Sequence, residues 1–241
     1  MKVLITGADG MLGSSICREA LAQGYQVRAM VLPGRKVTVL EGLDISYCYG
    51  NLLDSQSLYD AVEGCDYVIN VAASTQIWPR RSKNIWNLNY ESVKHLVEAC
   101  KQVNVKRLVH IGTANSFGHG TVDLPGTELT PYNGAAYKMD YVDSKYEAQK
   151  HIINQCEAGL LSAIVINPTF MIGPYDSGPS SGKMLMTLFQ GGLPGYTSGM
   201  KNFVASTDVA AAAVNGLKLG ASGSCYIAGN CKVYHNSPYL P

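Results

Sequence analysis

Lys2-Val3-Leu4-Ile5-Thr6-Gly7-Ala8-Asp9-Gly10-Met11-Leu12-Gly13 opens the chain, and its reading decides the fold. Lys2–Thr6 is short and apolar, as a fully buried strand should be. From residue 11 to residue 23 the apolar Leu12, Ile16 and Ala20 recur at four-residue spacing, one face of a helix, and Gly24 is a natural stop. Between strand and helix stand Gly7, Gly10 and Gly13. A turn that tight, with a ligand's diphosphate close to the backbone, needs residues without Cβ. The helix N-terminus adds free N–H groups and partial positive charge for the anion. A purely structural turn would also use glycines. The strand before and the helix after supply the context of a dinucleotide loop.

The alternation continues outward from this unit. Residues 26–32, 45–50, 66–72, 106–112 and 162–167 read as strands, and 55–63, 84–103 and 135–156 as helices. Strand–helix–strand repeats need crossover connections, hence an α/β fold with a doubly wound parallel sheet of the Rossmann kind. After Pro168 the texture changes. Residues 173–182 and 191–199 are Gly-rich loops, around a helix near 184–190, a strand near 202–204, a helix at 207–219 and a strand near 225–228. The expected organisation is a dinucleotide-binding core at 1–170 and a small substrate lobe at 171–241, interleaved with the core.

Composition narrows the function classes. The 241 residues carry 19 basic and 18 acidic side chains, a net charge of +1 that offers no field for nucleic acid or an acidic membrane. Seven cysteines, none in a Cys-x-x-Cys pair and most in apolar stretches, read as buried free thiols of a reducing compartment, with no metal expected. The chain enters its first strand directly, and no apolar run approaches the ~18–20 residues of a membrane helix. A cytoplasmic protein, with neither nucleic acid nor membrane as partner, is the expectation.

Chemistry enters with Tyr141-Val142-Asp143-Ser144-Lys145 on the helix expected at 135–156. Positions i and i+4 share a face, so the phenol and the ammonium project together. An ammonium beside a phenol favours the phenolate and lowers its pKa from about 10, giving an acid/base usable near neutral pH. Thr113 ends the strand at 106–112, and the carboxyl ends of parallel strands face the ligand crevice. Its hydroxyl could bond both a substrate carbonyl and the tyrosine. Alone, Tyr-x-x-x-Lys arises often by chance, and Thr113 would be a strand-end cap.

Together the segments resemble the extended short-chain dehydrogenase/reductase family over residues 1–229. The resemblance rests on Thr6-Gly7-x-x-Gly10-x-x-Gly13, on residues 86–93 with Asn89, on His110-Ile111-Gly112-Thr113, on Tyr141 and Lys145, on Asn167-Pro168-Thr169-Phe170-Met171, and on Asp208-Val209-Ala210. It implies Tyr141 as acid/base, Lys145 tuning it and binding the nicotinamide ribose, Thr113 positioning the substrate oxygen, and Asn89 completing the catalytic set. It implies cofactor contacts from Thr6, Gly7, Asp9, Gly10, Met11, Leu12 and Gly13. Asn51 and Leu52 would lie by the adenine. Val71, Ala72 and Ala73, at the end of the strand at 66–72, would also contact the cofactor, and Pro168, Thr169 and Met171 would pass the nicotinamide. Such a chain transfers hydride between NAD or NADP and a carbonyl or alcohol, and forms homodimers through its two long helices.

Departures select within the family. Dehydratases carry an Asp-Glu pair where Ala114-Asn115 stands, so dehydration is disfavoured. The Leu12-Gly13-Ser14 start and the Trp86 segment look like the dihydroflavonol reductase and hydroxysteroid dehydrogenase branch. A nucleotide-sugar epimerase with tightly bound NAD is the alternative. A non-catalytic dinucleotide sensor is a third reading, opposed by the intact Thr113, Tyr141 and Lys145. No acid ends the second strand, and Arg35 and Lys36 could pair a 2′-phosphate, which favours NADP slightly; solvated surface charges explain them equally well. The resemblance also implies C-terminal helices over the substrate, a pattern that residues 229–234 do not continue. Tyr175, Asp176, Lys183, Met184 and Phe203 are candidate lining residues, each with a structural role as the simpler account.

Overall fold

The computed structural model describes residues 1–35, 37–121, 123–176, 178, 181–192, 200–230 and 233–235. Its strands are β1 (Lys2–Thr6), β2 (Gln26–Val31), β3 (Ser46–Tyr49), β4 (Tyr67–Asn70), β5 (Arg107–Ile111), β6 (Ala163–Pro168), β7 (Phe170–Ile172), β8 (Met200–Ala205), β9 (Cys225–Ala228) and β10 (Val233–His235). Seven of them form one parallel sheet in the order β3-β2-β1-β4-β5-β6-β9. The order reverses between β1 and β4, the switch point at which open α/β sheets bind ligands. The doubly wound parallel sheet expected from the strand–helix alternation is therefore present.

Side-chain alternation builds the two faces. Val3 and Ile5 pack under α1 (Met11–Ala22) and α7 (Ser206–Asn215), while Leu4 packs with Val68, Leu108 and Val165 under α2 (Ser55–Val62), α4 (Ser92–Val103) and α5 (Asp140–Glu157). The helix expected at 84–103 is helical from α3 (Lys83–Trp86) through a π-helical turn, Asn87–Glu91, into α4. The helix expected from residue 135 starts later. Gly134–Tyr137 is a 3-10 turn, Lys138 is left-handed at φ 50°, Met139 is extended, and α5 begins only at Asp140.

The C-terminal stretch is divided. β9 completes the main sheet, while β7 and β10 flank β8 in a second, three-stranded sheet. Neither β7 nor β10 was expected, and α6 (Ser181–Phe189) starts inside the stretch read as a loop. Residues 193–199 of the second loop lie outside the described residues. The six described cysteines are free; Cys231 lies outside the described residues. Among the described residues no helix is long and apolar enough to cross a membrane.

Candidate active site

The glycine loop lies across the switch point. Gly7 is left-handed at φ +63°, and a Cβ there would meet the backbone N and Cα of Ala72 at 2.8 Å. A Cβ on Gly13 would overlap the carbonyl oxygen of Gly7. The turn closes through Gly10 N–H to Gly7 O (3.2 Å) and Ser14 N–H to Gly10 O (2.9 Å). No side chain caps α1 and no acid stands in its first turn. The Ser14 and Ser15 hydroxyls turn back onto the Met11 carbonyl. A cradle with no room for a Cβ, at an uncapped helix start, fits a diphosphate.

Thr6 is buried beneath this loop. Its hydroxyl donates to Asn70 Oδ1 (2.6 Å) and accepts from the N–H groups of Val71 and Ala72 (3.2 Å each). Asn70 then turns its amide N–H to His110 Nδ1 at 3.0 Å. Nδ1 is the acceptor, so the imidazole proton is assigned to Nε2. Burial, helped by the nearby Lys145 charge, holds His110 neutral, well below the usual histidine range. This polar line stitches β1, β4 and β5 at their carboxyl ends. Sequence reading missed Asn70 and gave His110 no role of its own, although a polar side chain in an otherwise apolar strand is a signal.

Thr113 follows β5. Its N–H donates to Asn167 Oδ1 (3.0 Å), and a Cβ on Gly112 would overlap that oxygen. Its hydroxyl accepts from Asn115 N–H (3.3 Å) and pairs with the phenol of half-buried Tyr141. Lys145 lies one turn on in α5, buried, with Nζ donating to the Ile111 carbonyl at 2.5 Å. Burial lowers Lys145 to about 8. The expected lowering of the phenol by the ammonium is not what the structure has. Burial pushes Tyr141 up, the Thr113 hydrogen bond works against it, and the ammonium is engaged by Ile111.

Asn89 sits in the π-helical turn. Its Oδ1 accepts from Ser74 N–H (2.7 Å), and its Nδ2 donates to Ser74 O (3.0 Å) and Ser144 Oγ (3.3 Å). Ser144 Oγ in turn donates to the Tyr141 carbonyl at 3.1 Å. Asn89 thus ties the segment after β4 to the helix that carries Tyr141 and Lys145.

The other expected contacts are spread more widely. Arg35 is exposed, with Nε 3.8 Å from the half-buried Asp9 carboxylate; Lys36 lies outside the described residues. Asn51 Oδ1 accepts from Leu53 N–H (3.0 Å) in a local turn, and Leu52 packs on the α2 and α4 side of the core. Met11 is half-buried and Leu12 is core. Val71 packs on the α1 side, Ala72 meets Gly7, and Ala73 is half-buried. Pro168 ends β6, Thr169 Oγ1 donates to Asn202 Oδ1 (3.0 Å), and Met171 packs under α1 and α7.

In the C-terminal stretch, the Tyr175 ring covers the Arg18 guanidinium at 3.8 Å, and Asp176 Oδ2 accepts from Gly182 N–H at 3.1 Å. Phe203 meets Phe170 edge to face at 5.3 Å, while Lys183 is exposed and Met184 half-buried on α6. Among the described residues no group of three or more His, Cys, Asp or Glu side chains is placed to hold a metal ion.

The chain is similar to known proteins in sequence and in fold. A profile of the NAD dependent epimerase/dehydratase family matches residues 3–230. Sterol demethylase protein B of Methylococcus capsulatus is 28% identical over 230 residues, covering 94% of this chain and 69% of that protein. A putative dihydroflavonol 4-reductase of Synechocystis is 26% identical over 210 residues, covering 86% of this chain and 60% of that protein. The chain thus spans about two thirds of these relatives. The UDP-glucose 4-epimerase of Thermus thermophilus, solved with NAD, superposes with a TM-score of 0.85 at 21% identity, covering 98% of this chain and 79% of that one. At that identity the likeness is one of fold.

Proposed function

The chain belongs to the NAD-dependent epimerase/dehydratase family, and from that premise we propose that it is an NAD(P)-dependent oxidoreductase acting on a small carbonyl or alcohol. The observation that carries this reading is the Thr113–Tyr141 hydrogen bond at the carboxyl end of β5. Lys145 lies buried one turn behind it. Tyr141 gives a proton to, or takes one from, the substrate oxygen. Thr113 orients that oxygen through its hydroxyl. Lys145, its ammonium held on the Ile111 carbonyl, binds the nicotinamide ribose. A bound nicotinamide supplies the hydride donor or acceptor. The glycine cradle and the start of α1 hold the diphosphate, and β7, α6 and β8, outside the main sheet, form the substrate lobe. The absence of an acid at the end of β2, together with Arg35, favours NADP slightly.

A nucleotide-sugar epimerase would use the same trio and is the second reading. The reductase is preferred because the relatives above 25% identity include a putative reductase, whereas the Thermus thermophilus epimerase likeness is one of fold. Dehydration is disfavoured because Ala114 and Asn115, not carboxylates, follow Thr113. The deciding experiment titrates NADPH and NADH against the purified protein and follows absorbance at 340 nm over a panel of aldehydes and ketones. Tyr141→Phe is expected to abolish turnover and leave cofactor affinity within a few-fold. Full activity in that variant sinks the mechanism. NAD that copurifies and does not exchange points to the epimerase.

A further inference from the structure

Asn167, next to last in β6, is fully buried and stands behind Thr113. The ladder between β5 and β6 pairs Ile111 with Ile166, and the Gly112 N–H closes on the Ile166 carbonyl at 2.8 Å. One residue further the ladder ends and a side chain takes its place: Asn167 Oδ1 accepts the Thr113 N–H at 3.0 Å. Only the oxygen of the amide can accept, so this bond also fixes which way the amide faces. Its Nδ2, buried without an oxygen or nitrogen acceptor, turns to the Cys225 thiol.

Gly112 makes room for this amide. A Cβ there would overlap Asn167 Oδ1 and lie 3.1 Å from its Cγ, and the backbone of Gly112 is not left-handed, so space and not φ calls for glycine. Three successive peptide groups around Thr113 are thus held from three directions. Lys145 Nζ takes the Ile111 carbonyl, the β6 backbone takes the Gly112 N–H, and the Asn167 side chain takes the Thr113 N–H. Thr113 is itself buried, so its N–H would otherwise be an orphan donor. The hydroxyl on this anchored backbone is the one that pairs with the Tyr141 phenol.

We infer that Asn167 is a positioning residue: it fixes the Thr113 backbone so that the Thr113 hydroxyl meets the Tyr141 phenol, and Gly112 admits the amide that does so. Reacting groups tolerate little displacement, since a shift of about 1 Å can cost on the order of 100-fold in rate. An Asn167 that only stabilised the fold would, when removed, lower stability and leave the Thr113–Tyr141 pair as it is. The effect on turnover rests on the oxidoreductase reading; the effect on the Thr113–Tyr141 pair does not.

The test compares wild type with Asn167→Ala, Asn167→Asp, Gly112→Ala and the double variant Gly112→Ala/Asn167→Ala. Urea midpoints give stability, and titration gives NADPH affinity. The phenol is followed by NMR of protein isotope-labelled at tyrosine Cζ, with the Tyr141 line identified by its loss in Tyr141→Phe. Asn167→Ala should move that line in the same direction as Thr113→Val does. It should lower kcat about ten-fold and leave NADPH affinity within about two-fold of wild type. Asn167→Asp keeps an acceptor for the Thr113 N–H, so it should return the line and most of kcat, even though a buried carboxylate lowers stability. Gly112→Ala drives the amide off Thr113 and should reproduce the line shift and the loss of kcat with Asn167 still in place. The double variant removes that overlap, so it should regain stability over Gly112→Ala without regaining kcat. The two routes, at 167 and at 112, keep the test decisive should one variant not fold. A Tyr141 line at its wild-type position in folded Asn167→Ala overturns the inference, as does a kcat that follows the urea midpoint through the whole set. If wild type turns over no carbonyl, the oxidoreductase reading falls, and the Tyr141 line alone still decides whether Asn167 positions Thr113.

Discussion

Lys145 is 3% exposed, and burial takes it from an ordinary lysine value of 10.5 to about 8. A displacement of that size corresponds to roughly 3 kcal/mol between the two protonation states. A lysine lowered in the folded state destabilises the fold wherever both states are protonated, that is, below about pH 8. The penalty shrinks between about 8 and 10.5, where the folded chain has lost the proton and the unfolded chain keeps it. Lys145→Met should therefore raise the unfolding free energy at pH 7 by about 1–3 kcal/mol, after the lost bond to Ile111 is counted. It should also abolish turnover. Urea midpoints with an unchanged slope measure the first effect, and a variant less stable than wild type contradicts the burial account. Activity that needs the ammonium should decline above about pH 8. Burial also pushes the thiols of Cys48 and Cys225 to about 11 and that of Cys17 to about 12. None is a thiolate at neutral pH. Iodoacetamide at pH 7.5 should leave these three unmodified in the folded protein, as peptide mass mapping would show.

The β1–loop–α1 unit was legible from residues 1–24 because each of its devices is local. The apolar run, the glycine spacing and the helical period need no distant partner, and Gly7 and Gly13 prove to stand where a Cβ has no room. Gly13→Ala must displace the Gly7 carbonyl, so it should weaken NADPH at least ten-fold and destabilise the fold by about 1–3 kcal/mol. Calorimetric titration and a denaturation curve test the two parts. The start of α5 was not legible. Residues 135–139 suit a helix by composition, but Lys138 turns left-handed, and the first helical residue is the one Arg81 holds from 59 positions away. The π-helical turn at Asn87–Glu91 escaped for the same kind of reason. Its position goes with the bonds of Asn89 to Ser74 and Ser144, partners on other elements. Asn89→Leu would strand the Ser74 N–H and C=O, and should destabilise the fold by about 1–3 kcal/mol.

Across the molecule, alternating strands and helices suffice to specify the parallel sheet, because each crossover has one favoured hand and neighbours in sequence become neighbours in space. The second sheet escaped that logic. β7 and β10 are three residues each, and both pair with β8, which is far from each of them in sequence. Strands that short carry no periodicity to read. The sheet order still has a measurable consequence. Gly7 of the β1 loop and Ala72 after β4 meet across the switch point, so a dinucleotide seated there would bridge elements that unfolding separates. A ligand that binds only the folded chain stabilises it by about 2.7 kcal/mol at one hundred times its Kd. For a chain of this length each kcal/mol moves the melting temperature by roughly 2–4 °C, so saturating NADPH or NADH should raise it by roughly 5–10 °C. Tyr141→Phe keeps the cradle and should keep the shift, whereas Gly13→Ala should lose most of it at the same concentration. A shift of equal size in Gly13→Ala would mean that the stabilising ligand sits elsewhere, and the switch-point site would have to be abandoned.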